Sequence, residues 1–256
     1  MIPKIIHYCW LSNDNIPLDL QGYMNTWKEK LFDYEFVLWN FDRFDINSSI
    51  WVKQTFEAKK YAFAADFIRL FAVYNYGGIY LDMDIDVIKS FNPLLHQKYM
   101  FAYECNDTKY PEAGCFGAEK KFWFIGECMD YFQNREYSNT DKTYTLPRVM
   151  KEIYAKSPKE KIAFLAQDYF TAKSHVTGKV TITENTYCVH NFAASWLSDD
   201  ERAFYMTKRK LCRIFGGKLG MIISFPLFVG FNVKSYGIKN GLKVVLDKVK
   251  FTIRRF

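Results

Sequence analysis

The sequence predicts an α/β domain followed by a small, basic, helical C-terminal extension. Three observations carry this expectation. Strand-like apolar runs alternate with amphipathic helical segments near the N-terminus. A Gly-Gly pair leads into a stretch in which aspartates alternate with aliphatic residues. The last fifty residues turn basic and are interrupted by glycine. A chain of 256 residues buries a core without staples, so one large domain over residues 1–205 and an appendage over 206–256 are expected.

Composition narrows the class. With 49% hydrophobic and 25% charged residues the chain is globular. Its six cysteines follow no CxxC or other metal spacing, which favours reduced, buried thiols over a disulfide scaffold or a zinc site. The N-terminus runs straight into a strand pattern without a long apolar segment or a small-residue cleavage site, so a cytoplasmic protein is expected. Of the 35 Lys and Arg residues, 13 lie beyond residue 200, against only Glu201 and Asp247, while the rest of the chain is slightly acidic. A basic tail beside an apolar run suits an anionic membrane surface better than nucleic acid; a solvated basic helix is the alternative.

In chain order, Lys4 to Trp10 reads as a first buried strand, which sets Trp10 at a strand's carboxyl end. There it either stacks on a flat ring or packs in the core. A helix over 17–30 and a strand over 34–39 complete a βαβ-like opening. Residues 51–76 read as two helices, the second (63–76) with core-facing Phe63, Phe67, Leu70, Phe71 and Tyr74. On it Asp66 and Arg69 are three apart, close enough to pair with each other or to grip a polyhydroxylated ligand.

Gly77-Gly78 fits a helix terminus followed by tight entry into a strand over 79–87. With a period of two, Ile79, Leu81, Met83, Ile85 and Val87 share one face, and Tyr80, Asp82, Asp84 and Asp86 the other. Three carboxylates on one face repel, so the stretch is either a cation site at a strand's end or the wet face of an edge strand. Beyond it, a strand is expected near 100–103, a loop-rich region over 104–117, helices over 121–134 and 145–155, and strands over 161–165, 179–183 and 187–190. His190, at a strand end, is a third metal ligand or a hydrogen-bonded structural histidine. A basic helix over 204–215 precedes a 13-residue apolar run, 219–231, too short to span a bilayer, which takes about 20 residues. It either lies in a membrane interface, with Lys208, Arg209, Lys210, Arg213 and Lys218 on lipid phosphates, or packs as a small helical subdomain.

Taken together, Ile2-Pro3-Lys4-Ile5-Ile6-His7-Tyr8-Cys9-Trp10, Ala65-Asp66-Phe67-Ile68-Arg69, Tyr76-Gly77-Gly78-Ile79-Tyr80-Leu81-Asp82-Met83-Asp84 and the segment from Ile182 through His190 to Ser195-Trp196 resemble the DXD-containing sugar transferases of glycosyltransferase family 32, of bacterial capsular and exopolysaccharide type. The resemblance covers about the first 200 residues and implies a GT-A, Rossmann-like fold that takes a nucleotide-sugar donor. It implies that Trp10 stacks on the base, that Asp66 and Arg69 hold the donor sugar, and that Tyr80, Asp82 and Asp84 bind ribose, sugar and a divalent cation. His190 is then a third ligand, and Ser195 and Trp196 cover the diphosphate. The sequence departs from the family's usual run at Asn191, where a second histidine is common, and at Thr171-Ala172, where Tyr-Pro is frequent. Neither departure falls on an expected ligand.

The chemistry asks for these residue types. A nucleoside diphosphate leaves readily when a hard cation, Mn²⁺ or Mg²⁺, neutralises its developing charge, and an imidazole ligand favours Mn²⁺. The expected enzyme is a retaining transferase working by front-face attack from a UDP-sugar onto a saccharide, lipid-linked in keeping with the tail, on the cytoplasmic face of the membrane. Three readings compete with it: a phosphohydrolase, for which the stretch 82–86 lacks a hydroxyl residue; a protein-modifying glycosyltransferase effector; and a non-catalytic nucleotide-sugar or membrane-binding protein.

Overall fold

A computed structural model of the chain describes residues 1–138, 144–157, 160–193 and 199–253. They form two compact units, Met1–Lys173 with Val180–Trp196, and Ser174–Lys179 with Leu197–Phe256.

The first unit opens with β1 (Ile5–Cys9), α1 (Leu18–Lys30) and β2 (Glu35–Trp39), the expected βαβ, with β2 parallel to β1. Two helices follow, α2 (Ile50–Glu57), capped by the Ser49 hydroxyl accepting from the Val52 amide, and α3 (Tyr61–Tyr76). Next come β3 (Gly78–Leu81), β4 (Ile85–Val87), β5 (Tyr99–Met100), β6 (Tyr103–Cys105), β7 (Tyr110–Pro111), β8 (Cys115–Ala118), α4 (Trp123–Gln133), α5 (Leu146–Lys156) and β9 (Cys188–His190). The main sheet runs β2-β1-β3-β8-β5, with β3 parallel to β1 and β8 antiparallel to β3.

Strand alternation sends Cys9, Val37, Trp39, Tyr80 and Phe116 into a core with α2, α3, α4 and α5. Ile6, Ile79, Leu81 and Cys115 enter a second core with Trp27 of α1 and Leu31 just after it. Helices thus cover both faces of the sheet, the expected α/β, Rossmann-like arrangement. Because β2 and β3 flank β1, the strand order reverses there, and ligands of such sheets bind outside the carboxyl ends at that point.

Several expectations need correction. The acidic stretch is not one strand. Asp82 extends the sheet by one bond, donating its N–H to the Gly114 carbonyl (2.7 Å); Ile85 N–H then returns to the Asp82 carbonyl (3.0 Å), and Met83 and Asp84 form a turn before β4. Aspartates favour such turns. The apolar period survives the break because Ile79, Leu81, Met83, Ile85 and Val87 all enter the second core. The region 104–117, expected as loop, contains β7 and the start of β8, a strand inside the main sheet. Residues 161–165 and 179–183 contribute only isolated bridges, at Leu165 and Val180.

The second unit holds α6 (Asp199–Phe215) and α7 (Gly217–Ile253), the latter kinked at Gly237. Phe204 packs against Phe228 and stacks on Phe231, and Lys234 pairs with Asp200 at 3.2 Å. Leu219, Met221, Ile222, Ile223, Phe225 and Leu227 are exposed, as are Lys210, Arg213 and Lys218. Arg209, expected on lipid phosphates, is instead buried within this unit, its guanidinium 5.4 Å from the Tyr205 ring. Among the described residues no helix is long and apolar enough to cross a membrane.

Candidate active site

The site begins with the turn that aims β3. Gly77 and Gly78 have φ of 70° and 104°, backbone that side chains resist, and a Cβ on Gly78 would stand 2.7 Å from the Ile5 carbonyl. His7 secures this turn. Trp39 Nε1–H can only donate, so His7 Nδ1 accepts from it (3.1 Å) and Nε2–H donates to the Gly77 carbonyl (2.8 Å). Burial pushes His7 down to about 4, against the pull of that carbonyl, so it is neutral at physiological pH.

Arg69 stands at the centre of a buried ionic cluster. It is 5% exposed, and its Nη2 lies 3.1 Å from Asp82 Oδ1 and 3.4 Å from Asp66 Oδ1. Its Nη1 donates to the Ala113 carbonyl (2.8 Å), and the guanidinium sits 4.6 Å from the centre of the Tyr80 ring. The pair three apart on α3 is therefore a buried hub. Burial raises the Asp66 carboxyl to about 7 even though Arg69 pulls the other way. Burial likewise raises Asp82, against Arg69, and the Asp84 charge adds to the rise. Tyr80 is buried, and its hydroxyl donates to Asp82 Oδ1 (2.9 Å).

Asp84 and His190 complete the group. The antiparallel pairing of β4 with β9 sets Ile85 opposite His190. Asn191 N–H and Nδ2–H both donate to the Asp84 carbonyl (3.1 Å each), and Ala193 N–H donates to Asp84 Oδ2 (2.7 Å). Asn191, where the resembled family often has histidine, thus braces the turn that carries Asp84. One ligand atom each from Asp82, Asp84 and His190 lies within 4.8 Å of the others, and Asp86 is outside this group. Burial opposes a charge on His190, but Glu112, then Asp84, outweigh it and raise the imidazole to about 10. A positive charge at this point answers the two aspartates, as a bound cation would, and the N/O donor set fits a divalent ion such as Mn²⁺.

Three contributors were not visible in the sequence. Glu112, 1% exposed, has Oε1 3.0 Å from His190 Nδ1; it also accepts the Gly114 N–H (2.6 Å) and the Thr171 hydroxyl. The charge of His190 leads in holding its carboxyl below the usual range despite burial. Glu104 occupies a bulge between β6 and β7; burial, then the charge of Glu112, raises it to about 7. Burial, then the charges of Asp84 and Asp86, raises the Tyr23 hydroxyl of α1.

The structure therefore brings together Asp66, Arg69, Tyr80, Asp82, Asp84 and His190. Trp10 follows directly on β1, its indole N–H donating to the Asp14 carbonyl (2.8 Å). Ser195 and Trp196, expected over the diphosphate, lie outside the described residues.

Residues 17–101 match the family model described as a glycosyltransferase sugar-binding region containing a DXD motif. That match takes in Asp66, Arg69, Asp82 and Asp84. Over 99 residues, 37% of this chain, the sequence is 37% identical to inositol phosphoceramide mannosyltransferase 3 of Schizosaccharomyces pombe, and the matched stretch spans 28% of that protein. A glycosyltransferase of Acanthamoeba polyphaga mimivirus is 29% identical over 236 residues, covering 84% of this chain and 88% of its own length. Among solved structures, PaToxG glycosyltransferase aligns with a TM-score of 0.48 and 19% identity over 61% of this chain and 70% of its own. Residues 17–101 are thus similar to a DXD-containing glycosyltransferase region; the relatives named are fungal and viral, where the resemblance pointed to bacterial capsular enzymes.

Proposed function

We propose that the chain is a retaining, metal-dependent glycosyltransferase that moves a sugar from a nucleotide-sugar, UDP-linked, to a lipid-linked saccharide in the synthesis of a surface polysaccharide or glycolipid. The observation that carries this reading is the convergence of Asp82, Asp84 and His190, from two distant stretches, outside the carboxyl end of β3 beside the reversal of strand order. A divalent ion held there, Mn²⁺ or Mg²⁺, would supply Lewis-acid neutralisation of the leaving diphosphate.

The chain's own residues do the rest. Trp10 offers a ring to the base, and Arg69 presents fixed positive charge behind Asp82 while Asp66 and Asp82 accept from donor hydroxyls. The resemblance assigns Ser195 and Trp196 to the diphosphate. Glu112 is engaged by three donors and is not free as a nucleophile, which supports front-face attack assisted by the departing phosphate. Trapping a glycosyl-enzyme on Glu104 would overturn that step.

The lipid part rests on the second unit, whose exposed Leu219, Ile222 and Phe225 neighbour exposed Lys210, Arg213 and Lys218 in sequence. It also rests on the fungal relative, whose name gives inositol phosphoceramide, a lipid, as its acceptor. The chain is then peripheral on the cytoplasmic face of a membrane. The test is a panel of UDP- and GDP-sugars with Mn²⁺, reading free nucleotide. Release from one UDP-sugar is expected. Release from GDP-mannose alone would keep the transferase and correct the base, and silence across the panel with donor binding intact would favour a non-catalytic binding protein.

A further inference from the structure

We propose that Glu112 is the positioning residue of the cation site: it fixes His190 with its proton on Nδ1 and its Nε2 turned to the space shared with Asp82 and Asp84, and so gives the site its preference for Mn²⁺ over Mg²⁺. This rests on the reading of Asp82, Asp84 and His190 as cation ligands.

A carboxylate 1% exposed is tolerated only where donors saturate it, and Glu112 has three, the Gly114 amide, the Thr171 hydroxyl and His190 Nδ1. An ionised carboxylate can only accept, so Nδ1 must donate. That leaves Nε2 as the ligand atom, and it faces Asp84 Oδ1 at 3.5 Å. Ligating histidines commonly have such a carboxylate behind them, which orients the ring and strengthens its basicity.

Gly114 ties the two halves of the site together. Its N–H holds Glu112, its carbonyl receives the Asp82 N–H, and a Cβ there would stand 2.8 Å from His190 Cε1 and 2.9 Å from Asp82 Oδ2. Thr171 enters the same clamp, its hydroxyl donating to Glu112 Oε2, the other oxygen of the carboxylate that holds His190. A nitrogen donor held in place suits Mn²⁺, whereas carboxylates and water alone suit Mg²⁺ as well. Glu112 thereby acts on cation choice without touching the cation.

The test is calorimetric titration of the metal-free full chain with Mn²⁺ and, separately, with Mg²⁺, in the absence of sugar nucleotide. Glu112→Ala is expected to weaken Mn²⁺ binding by about 10- to 100-fold and Mg²⁺ binding by less than about threefold. Glu112→Gln, which keeps an acceptor for His190 and Gly114, should retain most of the Mn²⁺ affinity, and in a His190→Ala background Glu112→Ala should add nothing. Should Glu112→Ala not fold, Thr171→Val is expected to give the same metal-selective loss at smaller size. Equal losses for both ions, a full loss persisting without His190, or no loss at all would overturn the proposal. If Asp84→Asn binds Mn²⁺ as the wild type does, the ligand reading itself fails and this inference with it. If Asp84→Asn loses Mn²⁺ while Glu112→Ala keeps it, only the role of Glu112 falls.

Discussion

Arg69 in the first unit and Lys210, Arg213 and Lys218 in the second are all cations, yet their surroundings have little in common. Arg69 is buried among Asp66, Asp82, Tyr80 and the Ala113 carbonyl, each at a fixed distance. The other three stand exposed, close in sequence to the exposed apolar residues of α7. Buried charges held in one geometry suit a ligand whose every atom has a place, such as a sugar diphosphate. Exposed charges beside apolar side chains suit a surface without fixed structure, such as lipid headgroups.

The contrast predicts different responses to substitution, and the largest is at the buried hub. Arg69→Met leaves Asp66 and Asp82 without their cation in low dielectric and should cost about 3–5 kcal/mol in the metal-free chain, read from urea unfolding. If the cost is small, the cluster is wetter than its burial shows, and the two units are alike.

Next is the pH response of His7. Its folded value of about 4 lies below the ordinary 6.5, so its contribution to stability is full above pH 6.5 and is lost as pH falls towards 4. The stability difference between the wild type and His7→Gln should shrink across that window by about 3 kcal/mol. A difference that stays flat from pH 7 to 4 would mean that His7 is solvated and does not pin the turn before β3.

Reversing the exposed charges, Lys210→Glu with Arg213→Glu and Lys218→Glu, should leave unfolding within about 0.5 kcal/mol of wild type. Binding to vesicles containing anionic lipid should fall roughly a hundredfold. Unchanged vesicle binding would return the second unit to a packing role. The smallest effect is expected at Trp10→Ala, which should weaken donor binding by about 10- to 100-fold with little change in Mn²⁺ affinity.

How much of this was legible follows from where the signals lie. The paired aspartates, the apolar stripe from Ile79 to Val87 and the Gly77-Gly78 entry were readable because they are local and periodic. The break at Met83-Asp84 was not, since the apolar residues keep their period on both sides of the turn and enter one core. Strand β8 was hidden because Cys115-Phe116-Gly117-Ala118 is short, contains glycine and follows a turn-rich stretch. Spacing alone lets Asp66 and Arg69 pair or grip a ligand but says nothing of burial; only the packing of α3 against β1, β3 and β8 buries them. Glu112 had no signal at all. Its meaning comes from His190, 78 residues away, and from Thr171, 59 residues away, so only folding reveals the clamp. Spacing alone left His190 open; the resemblance grouped it with Asp82 and Asp84, and the fold brings the three together.

The two DXD carboxylates are proposed to act through a cation, and the most direct measurement compares nucleotide release from the preferred sugar donor by the wild type and by Asp84→Asn, with Mn²⁺ and with a chelator. Release by the wild type should depend on Mn²⁺, and Asp84→Asn should be slower by at least about a hundredfold while unfolding as the wild type does. Undiminished release in chelator, or an Asp84→Asn chain as active as the wild type, would contradict it.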